Sequence, residues 1–136
     1  MLLEQESSSD EGYGITFKGV ALVPGSQFDA DKLPQPQYSY TQSGNSFYNY
    51  ADLEVVVSHA GDAAVIQRVT VISLNLKTSE GLAIGDPLEQ VKKLYGDHYT
   101  QCGDEWLFCK GNTTLVILTQ DGLVAGMECR FTKENA

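Results

Sequence analysis

Residues 106–131 read WLFCKGNTTLVILTQDGLVAGMECRF, and this stretch decides the fold. It contains three runs of strand length that are rich in β-branched and aromatic residues, at 106–110, 114–120 and 123–131. The dipeptides Gly111-Asn112 and Asp121-Gly122 separate the runs, and both favour two-residue hairpin turns. The stretch therefore predicts an antiparallel meander of three strands.

Two tight turns fix which residues of the three strands face one another. The predicted pairs are Cys109 with Thr114, Phe108 with Leu115, Trp106 with Ile117, Leu118 with Ala125 and Val116 with Met127. Since side chains alternate between the two faces, the face predicted to be core carries Leu107, Cys109, Val116, Leu118, Ala125, Met127 and Cys129. The opposite face carries Trp106, Phe108, Leu115, Ile117, Val124 and Glu128. This second face is too apolar to be simply solvated, so either another element covers it or it binds a partner.

A helix is predicted upstream of the meander, over residues 87–95. The residues that form one apolar stripe at helical spacing are Leu88, Val91, Leu94 and Tyr95. Asp86 is predicted to cap the helix, Pro87 suits its first position, and Gly96 ends it. The helix is expected to cover the core face of the meander.

The region before this helix resembles an earlier segment of the same chain. Residues 19–25 (GVALVPG) align with residues 81–87 (GLAIGDP) at an offset of about 62 residues, which indicates a duplicated unit, with chance similarity as the alternative. In the earlier copy Pro34 and Pro36 follow closely, so its helix should be short, irregular or lost. We therefore expect one globular domain of two pseudo-repeats, about 14–76 and 77–132, after a flexible acidic, serine-rich tether at 1–13.

Further strands are predicted in the first half of the chain, at residues 15–23, 52–58 and 65–76. The count then reaches six or more antiparallel strands against one or two helices. The predicted fold class is α+β, in which two tandem helix-plus-antiparallel-strand units form one curved antiparallel sheet with one or two helices on one face.

The charge of the chain limits the partners to be expected. The 136 residues carry a net charge of -9, whereas nucleic-acid affinity depends on clustered Lys and Arg, so nucleic acid is not an expected partner. No run approaches the roughly 20 apolar residues of a membrane span, and the first residues lack the pattern of a secretory signal. A membrane is expected as a partner only through a lipid anchor absent from this chain.

No constellation of residues predicts catalysis, a metal site or a cofactor. His59 and His98 do not share a ligand spacing, and neither a phosphate loop nor a nucleophile elbow occurs. In the predicted register Cys109 and Cys129 lie roughly 9 to 10 Å apart, which is too far for a disulfide. Inert thiols are expected, with a bridge between Cys102 and Cys109 as the alternative.

Residues 38–50 form a candidate binding segment, because tyrosine and asparagine combine flat contact area with hydrogen-bonding groups. Its alternative is an edge strand and loop without a partner. The complete set of candidate binding residues, from this segment and from the second sheet face, is Tyr38, Tyr40, Tyr48, Tyr50, Trp106, Phe108, Leu115 and Ile117.

Residues 78–96 (TSEGLAIGDPLEQVKKLYG) resemble the signature T-x-x-G-h-x-h-G-[DS]-x-x-x-x-V-x-x-x-[YL]-G, with h apolar, of uncharacterised cell-surface lipoproteins from Gram-positive bacteria. The earlier Phe17-Lys18-Gly19, Pro24-Gly25 and Asp52 are similar to the first half of those proteins. That family in turn resembles the β-lactamase-inhibitory-protein (BLIP-like) fold, a tandem repeat whose concave sheet face is available to partners. The resemblance implies an extracellular, lipid-anchored location, although the lipobox cysteine and signal are not seen here.

Two functions are expected from these patterns. The first is a non-catalytic binding module of the cell surface whose sheet presents Trp106, Phe108, Tyr48 and Tyr50 to a protein or cell-wall ligand. The second is a proteinaceous inhibitor of a secreted enzyme that inserts residues 44–50 as a loop.

Overall fold

The computed structural model describes residues 13–60, 63–74, 76–78, 80–96 and 98–131. The strands are β1 Ile15–Phe17, β2 Val20–Leu22, β3 Tyr38–Gln42, β4 Asn45–Asn49, β5 Leu53–Ala60, β6 Ala63–Val71, β7 Lys77–Thr78, β8 Thr100–Cys102, β9 Glu105–Lys110, β10 Thr113–Gln120 and β11 Leu123–Phe131. The helical elements of the described residues are the helix α1, Leu88–Tyr95, and a 3-10 turn at Ala30–Lys32. The predicted tether lies, except for residue 13, outside the described residues.

An eight-stranded sheet dominates the molecule. Its strand order is β3-β4-β5-β6-β11-β10-β9-β8, and every pair of neighbours is antiparallel. The predicted meander is confirmed as β9, β10 and β11, and the contact between β6 and β11 joins it to the strands of the first half. A separate three-stranded sheet has the order β2-β1-β7.

The predicted α+β fold of two helix-bearing tandem units is wrong, because the described chain is mostly antiparallel β-structure with one α-helix. Between Pro24 and Pro34 the 3-10 turn is the only helical element, because residues 25–28 bond through their backbone to β6 and Pro34 cannot continue a helix. The strand expected at 15–23 is instead the hairpin β1–β2, which turns at Lys18 and Gly19 with φ of 53° and 80°. The duplication of the chain stays a prediction.

The core lies on one side of the eight-stranded sheet. The largest fully buried side chains that the sheet contributes are Leu53, Val55, Val57, Ile66, Val69, Phe108, Leu115, Ile117 and Met127. They pack in one cluster with Val91 of α1, with Ile15 and Leu22 of the three-stranded sheet and with Leu82. Each side chain of this size stabilises the fold by about 1.5–3 kcal/mol through burial.

The two faces of the meander are the reverse of the prediction. The pairs between β9 and β10 are as predicted, with Phe108 opposite Leu115 and Trp106 opposite Ile117. That face is the buried one, however, and Leu107, Cys109 and Leu118 lie on the other side. Helix α1 and the rest of the core cluster therefore cover Trp106, Phe108, Leu115 and Ile117.

A β-bulge explains why Met127 and Cys129 are also core. The register shifts between Leu118 and Thr119, so that Leu118 pairs with Gly126, Thr119 pairs with Val124, and Ala125 is left between them. Met127 consequently lies opposite Ile117 rather than opposite Val116 as predicted. The extra residue moves the part of β11 after Ala125 to the opposite face, whereas Leu123 and Val124 keep their predicted partners.

The predicted helix is confirmed, but the hydrogen bonds at its start are not those of the predicted Asp86 cap. The Asp86 carboxylate accepts a hydrogen bond from the backbone N–H of Ala83 at 3.0 Å and does not cap α1. The backbone of the first turn instead joins the β10–β11 turn, since the N–H of Leu88 donates to the carbonyl of Gly122 at 3.0 Å. Gly96 ends the helix as expected, with φ of 85°.

The half-buried Tyr95 links the end of α1 to the loop that precedes the helix. The Tyr95 hydroxyl donates to a Glu80 carboxylate oxygen at 2.9 Å and lies 2.6 Å from the Thr78 hydroxyl oxygen. Thr78 accepts in turn from the backbone N–H of Leu82 at 3.0 Å. Burial raises the pKa of Tyr95 well above its usual range, so the Tyr95 hydroxyl stays protonated at neutral pH.

Candidate functional site

The side of the eight-stranded sheet that is turned away from the core is called the outer face below. Register and alternation place on it Tyr38, Tyr40, Phe47, Glu54, Val56, Arg68, Thr70, Leu107, Cys109, Val116, Leu118, Glu128 and Arg130. Tyr40, Arg130 and Leu118 are exposed on it, whereas Val56 and Val116 are buried between their neighbours. The outer face is therefore the accessible surface of the sheet.

Three aromatic rings stack on the outer face at the edge formed by β3. Tyr40 lies against Phe47, its partner on β4, with ring centroids 4.7 Å apart and planes 8° from parallel. Tyr38 lies on the other side of Tyr40, with centroids 6.4 Å apart and planes 10° from parallel. Tyr38 is 59% exposed and Tyr40 45% exposed, so the stack presents aromatic area and two hydroxyl groups to solvent.

The other two candidate tyrosines lie on the core side. Tyr48 is half-buried and stacks on Phe28 at 5.0 Å. Tyr50 is buried against the ring of Phe17 at 5.1 Å, and this burial raises its pKa. The alternation of β4 separates them from Phe47, so the segment 38–50 divides between the two sides of the sheet.

The four candidates of the meander offer no surface to a partner. Trp106, Phe108, Leu115 and Ile117 are all buried, and Phe108 is only 1% exposed. Tyr99 packs on Trp106 with ring centroids 4.4 Å apart, and Tyr95 packs on Phe108 at 5.4 Å. This face was expected either to be covered by another element or to bind a partner, and the structure supports the first alternative.

A groove of about 460 Å³ begins beside the aromatic stack. Its lining residues come from β4, β5, β6 and β11 and are Asn45, Phe47, Val56, Ser58, Gln67, Arg68, Arg130 and Phe131. Val56 is only 5% exposed although it lies on the outer face, so it forms a sunken part of that surface. A second bulge, between Val56 and Val57, leaves Gln67 without a partner in the ladder and bends the strands at this point.

Two arginines line the groove side by side on neighbouring strands. Arg68 on β6 and Arg130 on β11 are partners in the antiparallel register. Each has one glutamate: an Nη of Arg68 lies 3.8 Å from Glu54, and Nε of Arg130 donates to Glu128. The Nε of Arg68 is buried and has no hydrogen-bond partner among the described residues.

Sequence reasoning missed this arginine pair. The pairing of β6 with β11 depends on contacts between distant parts of the chain, which no local pattern marks. One signal was present nevertheless, since Arg68 and Arg130 are the only arginines in the sequence.

One serine–histidine contact occurs, at the tip of β5. Nε2 of His59 lies 2.7 Å from the hydroxyl oxygen of Ser46, which in turn lies 3.3 Å from the hydroxyl oxygen of Thr41. Ser46 is 7% exposed, so this contact links neighbouring strands and does not present a nucleophile. Among the residues that the structure describes, no group of three or more His, Cys, Asp or Glu is arranged to hold a metal ion.

The three cysteines are free thiols. Cys102 pairs with Glu105, and Cys109 lies four residues further along β9, so these two are about 13 Å apart along the strand and form no bridge. Cys102 and Cys109 are exposed, whereas Cys129 is buried. Burial raises the pKa of the Cys129 thiol, which lowers its thiolate fraction further.

We expect a thiol reagent such as Ellman's reagent to label two cysteines of the native protein rapidly. The third, Cys129, should react only on the time scale of unfolding, because the reagent cannot reach it and it is not ionised. Mass spectrometry of the labelled peptides checks which sites react. Rapid reaction of Cys129 together with protection of Cys109 would reverse the assignment of the two sheet faces.

Comparison with protein-family models, with curated proteins and with solved structures finds no match. The resemblance to BLIP-like cell-surface lipoproteins therefore stays a prediction. Among the described residues no helix is long and apolar enough to cross a membrane.

Proposed function

We propose that the protein is a non-catalytic binding module that holds a partner protein against the outer face, over the aromatic stack and the adjoining groove. The observation that carries this proposal is the exposed stack of Tyr38, Tyr40 and Phe47 beside that groove. Tyrosine is enriched in protein interfaces because it combines apolar area with a polar end. The resemblance to surface lipoproteins favours the cell exterior as the place where the module works.

The geometry of the stack favours a protein over a sugar chain. A flat sugar ring needs the open face of an aromatic side chain, but Tyr40 uses its faces against Tyr38 and Phe47. Tyr40 consequently offers its ring edge and hydroxyl group, which suit the mixed apolar and hydrogen-bonding surface of a protein.

The edge of the sheet supports the same location. β3 is the last strand of the sheet, and all five of its residues are exposed. Natural proteins usually protect such an edge with charge, proline or a bulge, yet the sequence YSYTQ carries no charge and no proline. An uncharged edge beside exposed aromatic rings is consistent with a surface that a partner covers.

The inhibitor hypothesis was based on a loop at residues 44–50, but most of this segment is a strand. Residues 45–49 form β4, which pairs with β3 on one side and with β5 on the other. A strand held on both sides cannot enter the cleft of an enzyme as a loop. An enzyme remains only one member of the wider class of protein partners.

We expect peptides selected on the immobilised protein from a phage-displayed library to depend on the stack. Tyr40→Ser should weaken their binding at least about tenfold, because a central aromatic anchor contributes about 2 kcal/mol or more. Ile72→Ser is the matched control, since it removes an apolar side chain that is 56% exposed and lies outside the stack and groove. Fluorescence titration with the selected peptides measures both variants.

Circular dichroism must first show that both variants keep the fold of the parent protein. Peptides that bind Tyr40→Ser as tightly as the parent protein would contradict the proposal. Peptides that lose binding only to Ile72→Ser would move the site to the segment that follows β6.

A further inference from the structure

We propose that the groove between Arg68 and Arg130 binds the C-terminal carboxylate of a partner polypeptide whose last side chain is apolar. This inference rests on the proposed function, because it assigns the chemistry that the partner brings to the groove. It concerns the groove that adjoins the aromatic stack at Phe47, and it can fail separately.

The placement of the arginines is the first observation. Like charges directly opposite one another on neighbouring strands destabilise a sheet, and Arg68 and Arg130 are such a pair. They are also the only two arginines of a chain with a net charge of -9. Among the residues that the structure describes, no lysine lines the groove, and the positive groups of its lining are the two guanidinium groups.

The second observation is the incomplete pairing of the two guanidinium groups. Each has five N–H donors in a planar fork, and within the described part of the chain each has one glutamate beside it. The contact of Arg68 with Glu54 is long, at 3.8 Å, and Nε of Arg68 is buried without a hydrogen-bond partner among the residues that the structure describes. A carboxylate between the two arginines would receive donors from both and would relieve the repulsion between them.

The walls of the groove define the rest of the ligand. Phe47, Val56 and Phe131 provide apolar contact area next to the arginines. A volume of about 460 Å³ accommodates one large side chain with its carboxylate and is near the lower end of the range for ligand pockets. A C-terminal residue with an apolar side chain carries both groups on one unit.

Charge selects a carboxylate over a phosphate. Glu54 and Glu128 lie beside the two arginines, so negative charge already stands next to the positive groups of the groove. A dianion would meet both glutamates and the acidic surface of the chain, whereas a carboxylate adds one charge and fits the guanidinium fork in a bidentate manner.

The test uses the Nε–Hε signals of the full chain in a proton–nitrogen NMR spectrum, where the sequence allows only two arginine signals. The probe is N-acetyl-L-phenylalanine, and N-acetyl-L-phenylalaninamide is the matched uncharged control. We expect the acid to shift both arginine signals. Half-saturation should fall in the millimolar range, because a ligand this small makes few contacts. The amide and inorganic phosphate should leave both signals in place.

Arg68→Gln removes one of the two signals and so assigns both. It should also weaken binding of the acid about tenfold. Lys93→Gln on α1, at the other side of the sheet, should leave binding of the acid unchanged. Arg130→Gln serves the same purpose if Arg68→Gln does not fold. Equal shifts with acid and amide, equal shifts with phosphate, or no shift at all would each overturn the proposal.

The two proposals fail in different ways. If selected peptides depend on Tyr40 but the acid shifts neither arginine signal, the binding module stands and the carboxylate site is wrong. If the acid binds but no selected peptide depends on Tyr40, the aromatic stack is not the anchor and the arginine groove stands alone.

Discussion

Phe108→Ser should cost about 4–5 kcal/mol of the free energy of unfolding, because it removes a fully buried ring and leaves a hydroxyl group in apolar surroundings. The ring packs against Tyr95 and Tyr99 in the core, and truncations of buried aromatic residues cost about 3–5 kcal/mol before the polar group is counted. A domain of this size has about 5–15 kcal/mol in all, so most of its stability is lost. Urea denaturation followed by tryptophan fluorescence measures the effect.

Cys109→Ser is the control for this variant, because it introduces the same side chain one residue further along the same strand. Cys109 is exposed on the outer face, so the change should stay within about 1 kcal/mol. A large loss at Cys109 with a small loss at Phe108 would mean that the two sheet faces are interchanged.

Gly25→Ala should cost about 2–4 kcal/mol, from two separate causes. Gly25 has φ of 93°, a left-handed conformation that costs an alanine about 1–2 kcal/mol. A Cβ at this position would also lie 2.9 Å from Cε1 of Phe131, and the ring could move only at the expense of its own packing. The backbone cannot shift easily either, since the N–H of Gly25 donates to the carbonyl of Ile66 at 2.7 Å.

Gly19→Ala separates the two causes. Gly19 has a similar φ of 80°, but no atom lies within 4 Å of the added Cβ. It should therefore lose only the backbone contribution, about 1 kcal/mol. Thermal unfolding of both variants measures the difference, and equal losses would show that Phe131 does not pack on Gly25.

Local signals in the sequence predict the elements of the second half well. Gly111-Asn112 and Asp121-Gly122 mark the two turns of the meander, and in the second turn both residues have the positive φ that a two-residue hairpin favours. The apolar stripe and the closing glycine predict α1 within a residue of its limits. These features depend on residues close together in the chain, and such signals can be read without tertiary contacts.

The choice of the buried face depends on tertiary contacts. Strands β9 and β10 are apolar on both faces, with Trp106 and Phe108 on one side and Leu107 and Val116 on the other, so alternation alone does not identify the core. The bulge at Ala125 adds a one-residue shift that no turn residue marks. The sequence therefore predicts the strands of the meander but places its aromatic residues on the wrong surface.

The candidate site also has one part that the sequence predicts and one part that it does not. Tyr38 and Tyr40 are predictable because their segment is rich in tyrosine and alternates. The groove is not predictable, since it needs Arg68 and Arg130 to meet through the pairing of β6 with β11. A site assembled from strands so far apart in the chain has no local pattern.

The most direct test of the central claim is to map a selected peptide onto the protein by NMR. Backbone and side-chain signals of the isotope-labelled protein are followed as the peptide is added. The account predicts that the largest changes cluster on the outer face, at Tyr40, Phe47, Val56, Arg68 and Arg130. Changes that centre on Ile72 and Leu74, or on the exposed side of α1, would contradict it.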